Sequence, residues 1–163
     1  MVEGYLDIET TSLTPQEGEI TVVGVGIEKG KKLSFFQLVG EEISSQRLIE
    51  LVKNIDILYT YNGEKFDLLF IKEKLGVDLV AFCKHRDLKF VCWENNLYGG
   101  LKKVERKLKI KRKIKGVNGY KAVMLWRRYK EFGDREALNL LLEYNKEDVI
   151  NLKQLKEALN LFS

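Results

Sequence analysis

Residues 5–13 read Tyr-Leu-Asp-Ile-Glu-Thr-Thr-Ser-Leu, an apolar stretch that carries two carboxylates. Successive side chains of a strand point to opposite faces, so Asp7 and Glu9 share one face while Leu6 and Ile8 occupy the other. Two carboxylates this close repel each other, and each raises the pKa of the other unless a cation lies between them. The hydroxyl side chains that follow favour a turn, which places both acids at the mouth of a cleft. The stretch therefore predicts a metal site at the end of an N-terminal strand.

The size and composition of the chain are those of one globular domain. Its 163 residues suffice for a proper hydrophobic core, and we expect a single domain over residues 1–163. Cys83 and Cys92 have no partner Cys or His pair nearby in the sequence, which argues against a disulfide framework and a structural zinc site. The sequence shows neither a secretory signal nor a long apolar run, so we expect a soluble, cytoplasmic protein with no membrane partner.

The first half of the chain alternates between strand and helix patterns. Two β-rich runs flank Lys29-Gly30 and predict a hairpin, which would form a three-stranded antiparallel meander with the first strand. Gly24 and Gly26 indicate close approach of another backbone to this hairpin, or a bulge. The remaining elements predicted here are a helix capped by Ser44, a buried strand over 56–61 and a helix over 64–75.

The second half is mostly helical. Residues 78–97 are compatible with strand or helix, and we expect a short strand ending near Asp87. Helices are predicted over 99–109, 122–132 and about 134–160, with a basic loop over 111–119. This order predicts an α/β fold whose mixed five-stranded sheet has three antiparallel strands followed by parallel βα units, flanked by helices.

Two later segments carry further acids. Residues 62–67 read Asn-Gly-Glu-Lys-Phe-Asp and place Asp67 in the first turn of a helix, where a carboxylate already suits the helix dipole. Tyr144 and Asp148 stand four residues apart on the last predicted helix, so they emerge on one face. Each segment taken alone is also compatible with an ordinary structural role.

The three segments in this order resemble the exonuclease motifs of the DEDD superfamily in its tyrosine-bearing form, DEDDy. Those motifs are Asp-x-Glu, Asn-Gly-x-x-Phe-Asp and Tyr-x-x-x-Asp. The sequence is most similar to the predicted YprB-like 3′-5′ exonuclease group, which is related to the proofreading domain of family B DNA polymerases. The resemblance runs from Gly4 to about Leu155 and implies a ribonuclease H-like fold.

The resemblance also implies a catalytic site. Hard oxygen ligands without a histidine favour Mg²⁺ or Mn²⁺. Two such ions would clamp the scissile phosphate. The four carboxylates that would hold them are Asp7, Glu9, Asp67 and Asp148. Tyr144 would orient the attacking water. Histidine-bearing DEDD enzymes place the imidazole just before the last aspartate, so His85 is expected to be a surface residue and not a catalytic base.

Basic residues are concentrated between positions 102 and 115, where nine Lys or Arg stand against the single acid Glu105. Such runs are often solvated faces, but beside a phosphodiesterase site they favour phosphate contacts. The residues that we expect to contact nucleic acid here are Lys102, Arg106, Arg112 and Lys113. By resemblance, the terminal nucleotide would meet Thr10, Thr11, Leu13 and Asn62. Trp126 is compatible with base stacking, although core packing is the simpler expectation.

The sequence therefore predicts a metal-dependent 3′-5′ exonuclease that acts on single-stranded or frayed DNA, or on RNA. An endonuclease of the same fold is one alternative. A catalytically silent nucleic-acid-binding module is another, although four converging carboxylates would have little purpose in it. The preference for DNA or RNA, the preferred metal, the oligomeric state and any protein partner in repair or replication stay open.

Overall fold

The computed structural model of the protein describes residues 1–160 and contains a five-stranded mixed sheet. The strand order is β3-β2-β1-β4-β5. The strands are β1 (Val2–Thr10), β2 (Ile20–Lys29), β3 (Lys32–Val39), β4 (Ile57–Thr60) and β5 (Lys84–Asp87). Strands β1, β2 and β3 pair antiparallel, whereas β4 pairs parallel to both β1 and β5. The predicted meander and the predicted mixed sheet are both confirmed.

The described residues form six α-helices around this sheet. They are α1 (Ser45–Val52), α2 (Asp67–Leu75), α3 (Leu88–Glu94), α4 (Leu101–Lys107), α5 (Gly119–Phe132) and α6 (Arg135–Asn160). Short 3-10 turns occur at Gly40–Glu42 and Leu79–Ala81. The uncertain segment 78–97 thus contains a 3-10 turn, strand β5 and helix α3, and the strand predicted to end near Asp87 is confirmed.

Two predicted helix starts were displaced by three residues each, and the start of α4 by two. Helix α2 begins at Asp67 and not at residue 64, because Asn62 adopts a left-handed conformation with φ of 62° and starts a turn. Helix α5 begins three residues before the predicted Ala122, because the side chain of Asn118 accepts a hydrogen bond of 2.8 Å from the backbone N–H of Lys121 and caps the helix.

The two faces of β1 enter different hydrophobic clusters. Leu6 and Ile8 belong to the cluster that also contains residues of α1 and α2. Tyr5 points the other way, into a cluster with Leu152 and Leu155 of α6. Side chains alternate along a strand, so Asp7 and Glu9 lie on the same face as Tyr5. Both acids therefore face helix α6.

Helix α6 approaches the sheet closely where β2 carries glycine. A Cβ atom at Gly24 would lie 2.3 Å from Oδ1 of Asn145, and one at Gly26 would lie 3.1 Å from Cγ1 of Val149. A close contact at these glycines was predicted, but the atoms that approach belong to side chains and not to another backbone, and the pairing of β1 with β2 shows no bulge there. Because β2 is the neighbour of β1, the same packing brings Asp148 of α6 next to the end of β1.

Two expectations about the chain can be compared with residues 1–160. Within that part of the chain, no helix combines the length and the apolar character needed to cross a membrane. Cys83 and Cys92 are both buried free thiols.

Candidate active site

Three carboxylates converge where β1 meets α6. Asp7 and Glu9 lie near the C-terminal end of β1, and Asp148 lies in the middle of α6. Each of the three offers an oxygen, and these oxygens all lie within 4.8 Å of one another. A group of this size, made only of carboxylate oxygens, fits a hard divalent cation such as Mg²⁺ or Mn²⁺.

Asp67 lies beside this group but is engaged differently. Its side chain is 4% exposed, and its Oδ2 accepts a hydrogen bond of 2.9 Å from the backbone N–H of Ile8. That bond fixes the first turn of α2 against β1, between the two acids of the strand. Burial raises the pKa of Asp67 to about 7. The structure thus places the fourth predicted ligand next to the other three, with one oxygen already bound to the backbone.

The electrostatics of the group favour a cation. Loss of hydration and repulsion from Asp148 raise the pKa of Asp7 well above its ordinary value, and the same two causes act on Glu9. Burial raises the pKa of Asp148 to about 6, although Arg112 opposes this shift. Carboxylates that are crowded and desolvated in this way are stabilised as anions when a dication binds among them.

The side chain of Asn145, which the sequence analysis left without a role, supports Asp7. It is fully buried, and its Nδ2 donates to both the backbone oxygen of Asp7 at 3.1 Å and Oδ2 of Asp7 at 3.0 Å. Its Oδ1 accepts a hydrogen bond of 2.9 Å from Gln37 of β3. The signal for it in the sequence was its position next to Tyr144.

Tyr144 lies at the edge of the acid group. Its side chain is 6% exposed and lines a cavity together with Asp7 and Asp148. Burial, followed by the nearby Asp148 and Glu9, raises the pKa of the phenol above its ordinary value. Lys102 places its Nζ 4.7 Å from the centroid of the ring. The phenol is therefore protonated at neutral pH and can donate a hydrogen bond into the cavity.

Cavities open on both sides of the acids. The first has a volume of about 410 Å³, and its wall includes Asp7, Tyr144 and Asp148. Its other lining residues are largely basic or aromatic: Tyr61, Lys102, Lys103 and Arg106. The second cavity, of about 500 Å³, adjoins Glu9 and is mainly apolar, with walls that include Thr10, Thr11, Leu13, Phe66, Tyr120, Met124 and Arg127. Five of the residues predicted to meet nucleic acid thus line these two cavities.

Asn62 has a local structural role. Its backbone N–H donates to Asp87 at 2.8 Å, and Asp87 also accepts from the backbone N–H groups of Glu64 at 3.1 Å and Lys89 at 3.0 Å. The buried Asp87 thereby holds the turn that precedes Asp67 and caps helix α3. This role of Asp87 was not predicted, because an acid at the end of a strand does not by itself indicate which backbone groups it binds.

Two residues of the basic run behave differently from each other. Arg112 was expected to contact phosphate from the surface, but its side chain is only 12% exposed and its guanidinium binds Glu105 and Asp148. This pairing was not predicted, because the run of charges contains one buried acid, Glu105, that needs a partner. Lys113 is exposed, and its backbone N–H donates to Glu147.

Two other expectations concerned residues away from the acids. His85 is partly buried, and its Nε2 lies 2.9 Å from Oγ1 of Thr60. The acid group consists of Asp7, Glu9 and Asp148 and does not include this residue. Trp126 is partly buried and packs against the hydrophobic cluster of α5 and α6, which confirms core packing.

A family model of the RNase H superfamily matches residues 4–160. The chain belongs to the RNase H superfamily. A match of this extent includes all five elements of the sheet and the helix that carries Asp148, so the predicted ribonuclease H-like fold is confirmed. A search of curated proteins found no match.

Solved structures with this superfamily fold include several nucleases. Brucella melitensis NrnC with bound Mg²⁺ is 20% identical with a TM-score of 0.66, and the alignment covers 98% of this chain and 72% of NrnC. NrnC bound to pGG gives the same values. The zinc-bound ExoI–ssDNA complex of E. coli is 15% identical with a TM-score of 0.52, over 93% of this chain and 45% of that one. At these identities the likeness concerns the fold.

Proposed function

We propose that this RNase H superfamily member is a metal-dependent 3′-5′ exonuclease of the tyrosine-bearing DEDD type, similar to the YprB-like group. The observation that carries the proposal is the convergence of Asp7, Glu9 and Asp148 between a basic cavity and an apolar one. A phosphodiester substrate needs both a cation at its phosphate and a place for its base. The acids and the basic cavity beside them suit the phosphate, and the apolar cavity suits the base.

The residues that would hold the metal are Asp7, Glu9 and Asp148, with Asp67 as a fourth ligand through its oxygen that does not bind Ile8. The all-oxygen donor set supports Mg²⁺ or Mn²⁺, and two ions are the number that the DEDD motifs imply. Bound there, the metal would acidify a water molecule and neutralise charge on the phosphate. That NrnC binds Mg²⁺ in the same fold supports this choice.

The protein's own groups would position the reactants. The protonated phenol of Tyr144 faces the cavity that contains Asp7 and Asp148, so it can donate a hydrogen bond to the attacking water or to a phosphate oxygen. Lys102, Lys103 and Arg106 line the same cavity and would compensate the charge of the phosphates. These contacts orient the substrate without reading its sequence.

The apolar cavity would accept the terminal nucleotide. Leu13 is 84% exposed at its rim, and Tyr120 is 77% exposed on the α5 side. Apolar and aromatic surfaces of this kind stack unpaired bases regardless of base identity. Thr10 and Thr11 add hydroxyl groups that can bond to the sugar. The proposed substrate is therefore a single-stranded or frayed 3′ end, of DNA or of RNA.

Digestion of end-labelled oligonucleotides tests the proposal. DNA and RNA of one sequence, each with a free or a blocked 3′ end, would be incubated with Mg²⁺, with Mn²⁺ or with chelator. We expect single-nucleotide shortening from free 3′ ends only, and only with metal. Asp148→Asn, which removes one ligand charge without changing the side-chain size, is expected to bind the oligonucleotides and leave them intact.

The same experiment identifies the two alternatives. Internal fragments from substrates with blocked 3′ ends would show an endonuclease of the same fold. Binding without cleavage under every metal condition would show a nucleic-acid-binding module. Either result contradicts exonuclease activity.

A further inference from the structure

One buried arginine connects the basic loop to the acid group. Arg112 lies between α4 and α5, and its two terminal nitrogens bind different carboxylates. Its Nη1 lies 2.8 Å and 2.9 Å from the two oxygens of Glu105, and its Nη2 donates to Oδ1 of Asp148. Its Nε, which has no hydrogen-bond partner among residues 1–160, lies 3.7 Å from Oε2 of Glu147. One guanidinium thus faces three carboxylates.

The position of this guanidinium is fixed from several sides. Glu105 of α4 is fully buried and also accepts a hydrogen bond of 3.2 Å from Nδ2 of Asn151 of α6. Glu147 accepts from the backbone N–H groups of Lys113 and Ile114, the latter at 3.0 Å, which holds the loop backbone against α6. Arg112 therefore has little freedom to turn toward an incoming nucleic acid.

From these contacts we infer that Arg112 is a positioning residue for the metal site, which rests on the proposed function. By binding Oδ1 of Asp148, it fixes the rotation of that carboxylate and leaves Oδ2 for a cation shared with Asp7 and Glu9. Without this bond, Asp148 would turn away from the two acids that repel it. Groups that orient a metal-binding carboxylate are part of the affinity of the site, although they do not touch the metal.

The inference differs from a phosphate contact in a measurable way. An arginine that binds phosphate must be accessible, as Arg106 is: it is exposed and lines the cavity beside the acids. An arginine that orients Asp148 acts on metal binding even when no nucleic acid is present. The positioning role also differs from a purely electrostatic effect of the arginine. Removing a nearby positive charge would by itself tighten the binding of a dication, whereas loss of a positioning group weakens it.

The experiment compares three single variants of the full chain: Arg112→Lys, Arg112→Gln and the matched Arg106→Gln. Calorimetry measures Mn²⁺ affinity without nucleic acid, and fluorescence anisotropy measures affinity for single-stranded DNA in chelator. We expect Arg112→Gln to weaken Mn²⁺ binding by about 10- to 100-fold, the range for groups that orient metal ligands. Arg112→Lys keeps the charge but not the planar fork, so its Mn²⁺ affinity is expected to fall as well, by less. Arg106→Gln also removes a positive charge near the acids, so it is expected to leave Mn²⁺ affinity at the wild-type level or slightly tighter, and to weaken DNA binding.

A double variant separates positioning from misfolding. In Arg112→Gln the buried Glu105 loses its guanidinium partner. The double variant Arg112→Gln with Glu105→Gln removes both charges of the pair and is therefore expected to keep the fold, which circular dichroism checks. Its Mn²⁺ affinity is expected to stay as low as that of the single variant, because Asp148 still lacks its partner. Wild-type Mn²⁺ affinity in this folded double variant, or in Arg112→Lys, would overturn the inference. Tighter Mn²⁺ binding by Arg112→Gln would do the same.

Because this test measures Mn²⁺ affinity and not hydrolysis, its outcome is independent of the test of the proposed function. Arg112-dependent Mn²⁺ binding in a chain that hydrolyses neither DNA nor RNA would uphold the positioning role and contradict the exonuclease. Hydrolysis by a chain whose Mn²⁺ affinity does not depend on Arg112 would uphold the exonuclease and contradict the positioning role.

Discussion

Asn145 binds Asp7 at two atoms, with its Nδ2 3.1 Å from the backbone oxygen and 3.0 Å from Oδ2 of that residue. Because Asn145 is fully buried, its removal leaves the backbone oxygen and the carboxylate of Asp7 without this donor. We expect Asn145→Ala to lower the free energy of unfolding by about 1–3 kcal/mol, the cost of an unsatisfied buried polar group. Urea denaturation measures this change in the free energy of unfolding. The exposed Asn54 provides the control, and equal stability of Asn54→Ala and Asn145→Ala would contradict the role of Asn145.

Gly24 makes room for the same asparagine. A Cβ atom there would lie 2.3 Å from Oδ1 of Asn145 and 3.0 Å from Cγ2 of Val149, so helix α6 would have to move away from β2. We expect Gly24→Ala to destabilise the protein by about 1–3 kcal/mol through overpacking. Gly119 is the matched control, because a Cβ atom there meets nothing within 4 Å. A Gly24→Ala protein as stable as Gly119→Ala would show that the contact is not tight.

Tyr144→Phe removes only the phenolic oxygen next to the acids. If the phenol positions water or phosphate, kcat for hydrolysis should fall by about 100-fold, near the lower end of the effect of a lost proton-transfer partner. Mn²⁺ affinity should not change, because the phenol is not among the carboxylates that would hold the metal. Tyr129 packs on Trp126 in another part of the molecule, so Tyr129→Phe is the control. Full activity of Tyr144→Phe would remove the phenol from the mechanism.

His85 is expected to affect stability at acidic pH and not catalysis. Burial lowers the pKa of His85 below its ordinary value of 6.5, so between the two pKa values the unfolded chain binds more protons than the folded one. Stability therefore falls as the pH drops below about 6.5. Urea denaturation at pH values above and below this point should show a larger loss for wild type than for His85→Gln. Hydrolysis at neutral pH should be unchanged in His85→Gln, and an inactive variant would contradict the assignment.

Much of the fold follows from local sequence patterns. The alternation in residues 5–13 sets the two faces of β1, and Lys29-Gly30 marks the hairpin between β2 and β3. The start of α2 was displaced because the turn before it depends on Asp87, which is distant in sequence and accepts the backbone N–H groups of Asn62 and Glu64. Contacts of this kind leave no periodic signal around the helix itself.

The acids of the site could be named from their motifs, but their supporting residues could not. Nothing in the run 102–115 distinguishes Arg112 from its exposed neighbours. Its burial results from the packing of α4 on α6, which puts Glu105 and Asp148 within reach of one guanidinium. Asn145 is similar, since its role depends on Gly24 and Gln37 from other strands. Tertiary packing determines the partners of these two side chains, and neither their charge nor their spacing in the sequence indicates them.

The position of bound metal tests the central claim most directly. A crystal of the protein grown with Mn²⁺ would locate the metal by its anomalous scattering, independently of any substrate. The site described above predicts a peak in direct contact with the carboxylates of Asp7, Glu9 and Asp148, and the loss of that peak in Asp148→Asn. A peak only at other carboxylates, or none at saturating Mn²⁺, would contradict the claim that these three acids form a metal-dependent nuclease site.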